Sequence, residues 1–231
     1  MKIHNCMARL REVSRSTLPS APMRFLSDGS AIRALQLIVF AISVFVASCV
    51  APDTQHHVII SAREQKLAVL DRGNLMVIYP VSTSKFGLGD WPGSSCTPLG
   101  ELEIAEKIGD HAAAGTVFKD RRPTGEIVQP DSPGRDPIVT RILWLRGRER
   151  QNGNAFARTI YIHGTPEERN IGLPASYGCI RMRSSDIIGL YEIVGRCAQV
   201  TIVDAPLAAA IPGLSPAPQL AETNRAGIAI R

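Results

Sequence analysis

The chain has 231 residues, 45% of them hydrophobic, with 19 glycines and 16 prolines, enough apolar material for one or two cored domains rich in turns. Its net charge of +5 is concentrated at the start: residues 1–48 carry six Lys/Arg against two Asp/Glu, and the rest carries 20 against 19. A nearly neutral body excludes the broad basic face that a phosphate backbone requires, so no nucleic-acid partner is expected.

The first element in chain order is a leader. Cationic residues up to Arg33 precede the uncharged run ALQLIVFAISVFVASCV. A charged start, an apolar centre and small residues at the end form the pattern of a secretory signal. Ala34–Val46 is 13 residues long, which suits a signal better than a bilayer crossing; extended to Ala51 the run also fits a short uncleaved signal anchor. Its end, VASC at Val46–Cys49, resembles the lipobox of bacterial lipoproteins, in which the cysteine is lipidated and becomes the new N-terminus. That resemblance makes residues 1–49 a signal peptide with lipobox and Cys49 the lipidation site. The protein is then a periplasmic lipoprotein tethered to a membrane by its lipid anchor, with Val50 leaning towards the outer membrane. Met23 makes a more ordinary start than Met1.

Residues 50–57, VAPDTQHH, read as a polar tether in which His56 and His57 have no catalytic part. HHVIIS, QKLAVLD and LMVIYPVS are strand-like, the last two joined by an Arg-Gly-Asn turn that predicts a hairpin. A loop dense in Gly, Ser and Pro follows, TSKFGLGDWPGSSCTPLG. It lacks the Lys-Ser/Thr of a phosphate cradle, and its Trp91 reads as local packing. ELEIAEKIG alternates like a half-buried strand. Residues 109–137 are mostly turns, with GTVF and GEIV as short strands and KDRR at 119–122 as a solvated turn. IVTRILWL, with Trp144 in the core, and ARTIYIHG are further strands.

SSDIIGLYEIVG is the one strong helix. Ile187, Leu190, Tyr191 and Val194 share one face, with a serine before it, Asp186 in the first turn and Gly195 after the last. AQVTIVD closes as a strand. Residues 205–231 read as a Pro/Ala-rich flexible tail. The sum is a mainly β domain over 58–204, a sandwich or barrel with one principal helix.

The chemistry gathers in YIHGTPEERNIGLPASYGCIRMRSSD, Tyr161–Asp186. A thiol is a poor nucleophile until it ionises, and cations, a helix N-terminus or an imidazole each favour the thiolate. Cys179 has Arg181, Arg183 and the coming helix after it, and His163 lies 16 residues upstream at a strand end. Thr165–Glu168 reads as a capping box with Pro166 at the first helical position, giving one helical turn that folds the loop back. Gly178 lets the backbone approach a reacting carbonyl, so the amides of Tyr177, Gly178 and Cys179 are candidate oxyanion donors. Zinc is disfavoured by the absence of Cys-x-x-Cys and the scarcity of histidine, and no metal is expected. Three cysteines lie beyond the leader, an odd number that suggests one pair and one free thiol in an exported protein. Cys96 with Cys197 is the open candidate.

The order IHGT, IG, S-x-GCIRM, D and LY, with QKLAVLDRGNLMVIYPVSTSK and TPLGELEIAEKIG upstream, resembles the L,D-transpeptidase catalytic domain, also called the YkuD domain. The resemblance covers most of 58–204. It implies a β-rich fold that crosslinks peptidoglycan stem peptides through a cysteine acyl-enzyme, without cofactor. Carried over, Cys179 is the nucleophile and His163 its base, oriented by the Gly164 carbonyl. Tyr177 and Gly178 supply the oxyanion backbone, and Ser176 and Arg181 meet substrate, Arg181 either holding a carboxylate or pinning its own loop. The resemblance places an amine, from another stem peptide or a lipoprotein, as acceptor. Water as acceptor would make a carboxypeptidase or amide hydrolase, and loss of chemistry would leave a cell-wall-binding lipoprotein. Two departures stand out: Tyr177 replaces the usual histidine, and the spacing from His163 to Ser176 is short.

Overall fold

The computed structural model describes residues 51–214; the leader, Cys49 and the chain after residue 214 lie outside the described residues. Ten strands form one sheet: β1 (His56–Ser61), β2 (Lys66–Asp71), β3 (Asn74–Pro80), β4 (Gly100–Ile108), β5 (Thr116–Lys119), β6 (Arg122–Ile127), β7 (Ile138–Gly147), β8 (Tyr161–Gly164), β9 (Ile180–Met182) and β10 (Gln199–Val203). The order is β3-β2-β1-β10-β4-β7-β5-β6, with β8 joined to β7 and β9 to β8. The mainly β fold with one principal helix, α1 (Ser184–Ile193), is as the sequence predicts. The β2–β3 hairpin turns at Arg72 and Gly73, both at positive φ, which matches the right-handed twist of the strands it joins.

Period-two alternation builds the core. Val58 and Ile60 of β1 and Leu67 and Val69 of β2 face the main cluster, which also takes Ile162, Ile180, Ile187 and Leu190. The intervening Ile59, Ala68 and Leu70 face the other way, against Leu207 and Ile211. The apolar runs VII and LAVL are continuous because both faces of these strands are covered. The covering segment is a short helix, α2 (Leu207–Ala210). Residues 205–214, which the sequence assigns to a mobile tail, therefore pack on the outer face of the sheet, while the rest of that tail lies outside the described residues.

β7 is the branching strand. It pairs β4 along one side and β5 and β8 elsewhere, with a register shift between Val139 and Ile142. At the shift, Thr140 sits at φ 72, a conformation a β-branched residue holds only under constraint. Its hydroxyl accepts from the Gly115 amide at 2.9 Å and bonds the Ser184 hydroxyl at 2.8 Å. This bend carries β8, and with it His163, to the rim of the sheet.

Candidate active site

β8 and β9 run parallel, with Ile162 opposite Ile180 and His163 opposite Arg181. Alternation sends Ile162, Ile180 and Met182 into the main core and Tyr161, His163 and Arg181 to the opposite face. Cys179 stands immediately before β9, alongside Tyr161, on that same face. The Tyr161 amide donates to Cys179 Sγ at 3.4 Å, and the thiol lies 3.5 Å from the Thr159 carbonyl. The thiol is partly exposed and rests against a cluster of Phe118, Ile142 and Tyr161. Thus the loop between the two motifs returns and sets Cys179 at the start of β9, on the face of the β8–β9 pair that carries His163. β9 itself was not predicted, being three residues long and buried throughout.

His163 is buried, and its Nδ1 lies 2.8 Å from the Gly164 carbonyl oxygen. A carbonyl only accepts, so Nδ1 carries the hydrogen and Nε2 is left bare. A side chain does not fit at Gly164, where a Cβ would meet the Val139 carbonyl oxygen at 2.7 Å. Burial lowers the His163 pKa and the nearby Arg181 charge lowers it further, against the Gly164 bond and Asp136, which raise it. Burial raises the Cys179 pKa, partly offset by the Tyr161 amide, Arg181 and Arg158. Both shifts act in the direction of the uncharged forms, a neutral imidazole and a neutral thiol.

The loop from Thr165 to Gly178 is held by its own side chains. Thr165 does not cap a helix through Glu168. Its hydroxyl donates to Asp136 at 2.5 Å and accepts from the Glu167 amide at 3.0 Å, and the helical turn is a 3-10 turn at Glu168–Asn170. Glu168 instead accepts the Ser184 amide at 2.8 Å, capping α1 from outside in place of the expected serine. Arg181 is buried, 2.6 Å from Asp136 and 3.8 Å from Glu167, and it also donates to the Ala175 carbonyl at 3.3 Å. Of its two expected roles, these contacts are those of a loop pin.

Ser176 is likewise engaged within the protein. Its hydroxyl donates to the Cys179 carbonyl at 2.6 Å and accepts from the Gly178 amide at 3.2 Å. That bond occupies one of the expected oxyanion donors, while the amides of Tyr177 and Cys179 donate to no group among the described residues. Gly178 sits at φ 118, where a Cβ would lie 3.2 Å from the Cys96 carbonyl oxygen. The Gly178 carbonyl accepts from the Thr97 hydroxyl at 3.0 Å.

Sequence reasoning passed over the residues that fix the far wall. Asp90, 1% exposed at its side chain, pairs with Arg158 at 2.5 Å and accepts the Asn154 amide at 2.7 Å. Arg158 donates to the carbonyls of Ser94 and Cys96, each at 2.7 Å. The signal was present as an aspartate inside a glycine-rich loop, but its partner lies 68 residues away. Cys96, Cys179 and Cys197 are all free, so the candidate Cys96–Cys197 bridge is not formed. Among the described residues no group of three or more His, Cys, Asp or Glu is placed to hold a metal.

A thiol and an oriented imidazole with a bare Nε2, beside unengaged amides, form a constellation suited to acyl transfer. Residues 55–202 match YkuD, the L,D-transpeptidase catalytic domain, and the chain belongs to that family. It is 27% identical over 173 residues to "Probable L,D-transpeptidase YbiS" of Escherichia coli (strain K12), an alignment covering 69% of this chain and 49% of that protein. The chain thus spans about half the length of that relative. Similar solved structures include L,D-transpeptidase 3 from Mycobacterium tuberculosis in complex with a faropenem-derived adduct, at 17% identity and a TM-score of 0.42, covering 64% of this chain and 60% of that one. Another is the L,D-transpeptidase from Xylanimonas cellulosilytica, at 14% identity and a TM-score of 0.41, covering 71% and 69%.

Proposed function

We propose that the chain is a cysteine-dependent L,D-transpeptidase acting on peptidoglycan stem tetrapeptides. The observation that carries this reading is the placement of Cys179 and His163 on one face of the β8–β9 rim, with the imidazole turned by Gly164 so that Nε2 is free to take a proton.

As the thiol attacks the carbonyl that joins the third, diamino residue to D-Ala, its proton passes to His163 Nε2 and the S–C bond forms. The tetrahedral oxyanion faces the Tyr177 and Cys179 amides. Each such donor is worth about 2.7–4 kcal/mol in other acyl-transfer sites. The C–N bond then breaks, the imidazolium returns the proton to the departing amine of D-Ala, and a thioester remains. An amine of another stem peptide, or of a lipoprotein, attacks the thioester, gives up a proton and regenerates the thiol. No step calls for a metal or organic cofactor. Ser176 and Arg181 act here as positioning residues, the first on the Cys179 carbonyl and the second on the loop. A periplasmic location with a membrane tether through Cys49 belongs to the same proposal and is supported by the leader sequence alone.

The test is mass spectrometry of a disaccharide-tetrapeptide incubated with the chain and with Cys179→Ala. Loss of D-Ala with formation of crosslinked dimers, both absent from the variant, is the expected result. Tripeptide monomers without dimers would replace the amine acceptor with water. D-Ala release that persists in Cys179→Ala would overturn the reading.

A further inference from the structure

The chain between the leader and the domain is docked earlier than a free tether would be. The Asp53 amide donates to the Arg196 carbonyl at 2.7 Å, and its carboxylate accepts the Gly195 amide at 2.6 Å and lies 2.9 Å from His56 Nδ1. Asp53 follows Cys49 by four residues, at most about 14 Å of extended chain. Whether Cys49 is lipidated or the apolar run stays as an uncleaved anchor, that short reach keeps this end of the sheet close to a bilayer surface.

The β2–β3 hairpin turns at the same end. The Arg72 amide donates to the Gln55 carbonyl at 2.9 Å, and its guanidinium donates to the Gln55 side-chain oxygen at 2.7 Å. Just after the turn, Leu75, Met76 and Ile78 are 41%, 51% and 40% exposed. Leu75 stands opposite Leu70 and Ile78 opposite Ala68, on the outer face of the sheet, while Val77 faces the main core. The register shift between Val69 and Leu70 leaves Met76 as the extra residue of a bulge. Among the described residues β3 has no neighbour on its other side. Single exposed apolar side chains are ordinary, but three within four positions of an edge strand form a strip of the kind that marks a contact. The Arg72 side chain beside them is 71% exposed.

We propose that this hairpin end is a membrane-contact surface, with Leu75 and Met76 entering the boundary between lipid headgroups and acyl chains and Arg72 meeting lipid phosphates. Such a contact needs only an apolar strip and a neighbouring cation, sunk about 5–10 Å into the interface. The inference rests on the membrane tether proposed above, which holds this end near lipid and so names the bilayer as the occupant. Its consequence is an orientation. β3 runs seven residues from Asn74 to Pro80, about 20 Å. The chain then reaches Ser82, which exchanges backbone hydrogen bonds with Arg181, each at 2.9 Å. The contact therefore presents the catalytic rim away from the membrane.

The test uses the full chain, purified in detergent and reconstituted into vesicles of phosphatidylethanolamine and phosphatidylglycerol. The vesicles are made with and without brominated acyl chains, which quench indole fluorescence on contact. Met76→Trp is compared with Ile127→Trp, an exposed position on β6 at the opposite edge, each after subtraction of the unmodified protein's emission. The indole at position 76 should lose most of its emission in brominated vesicles, and the one at position 127 should keep it. Adding Leu75→Asp to Met76→Trp should restore the emission. Equal quenching at the two positions, or quenching that survives Leu75→Asp, would overturn the contact. Blue-shifted emission at position 76 that bromine does not quench would put protein on this strip, a second copy or the chain's own C-terminal residues, and would overturn it too. No quenching in a protein that floats with the vesicles only when Cys49 is present defeats the contact alone. Quenching at position 76 in Cys49→Ala protein that still floats defeats the lipid attachment alone, and protein that does not float defeats both.

Discussion

Burial shifts His163 and Cys179 in opposite directions, lowering the pKa of the imidazole and raising that of the thiol. A base acts only when unprotonated, and burial with Arg181 nearby lowers the pKa of this one from its ordinary 6.5. The proposed acylation should therefore stay level as pH falls through 6.5 and fail only at more acid pH, in a profile of kcat/KM for D-Ala release. Arg181→Gln removes a cation that opposes imidazolium, so the acid limb should move up in pH. His163→Ala should lower kcat/KM by about 10²–10⁴, the usual contribution of a positioned base. Gly178→Ala should cost about 1–3 kcal/mol in urea unfolding, because it forces a side chain into positive φ beside the Cys96 carbonyl. An unchanged midpoint would show that this backbone is not constrained. At this scale the sequence was informative where residues are close along the chain. Cys179, His163 and Gly164 fall in one segment, so their grouping could be read locally, whereas Asp90, Asp136 and Arg158 approach them from loops distant in sequence, which no local pattern specifies.

The elements divide in the same way. α1 was legible because ten residues give enough turns for Ile187, Leu190 and Tyr191 to declare a face, and all three are buried. β9 was not, because three residues are too few to establish a period. The 3-10 turn at Glu168–Asn170 was anticipated as a turn but assigned the wrong cap: Glu168 reaches forward 16 residues to the start of α1. The loop from Ser84 to Thr97 holds only isolated bridges, Leu88 with Thr97 and Ser84 with Ser176, so its shape also depends on Asp90 and Arg158. Removing one partner leaves the other charge buried, at a cost of about 3–5 kcal/mol. Arg158→Met should lower the unfolding midpoint accordingly and raise KM more than it lowers kcat, since the loop walls the site without touching the reacting bond. A midpoint unchanged in Arg158→Met would contradict the role given to this pair.

For the molecule as a whole, composition separated a near-neutral body from a basic first 48 residues, and the many turn residues pointed to short strands. What composition concealed was the packing of residues 205–214. A stretch so rich in Pro and Ala has too few turns to show a helical period, yet Leu207 and Ile211, four apart, close over Ile59, Ala68 and Leu70. Leu207→Ala should destabilise the domain by about 2–5 kcal/mol, read as a lower thermal midpoint; no change would make this segment dispensable. The central claim, however, is a covalent one, a thioester at Cys179. The most direct measurement is the intact mass of the protein after a brief exposure to tetrapeptide donor with no amine acceptor present. The predicted result is a gain equal to the donor less D-Ala, removed by hydroxylamine and absent from Cys179→Ala. An adduct that forms equally on Cys179→Ala, or D-Ala released with no adduct at any time of sampling, would contradict it.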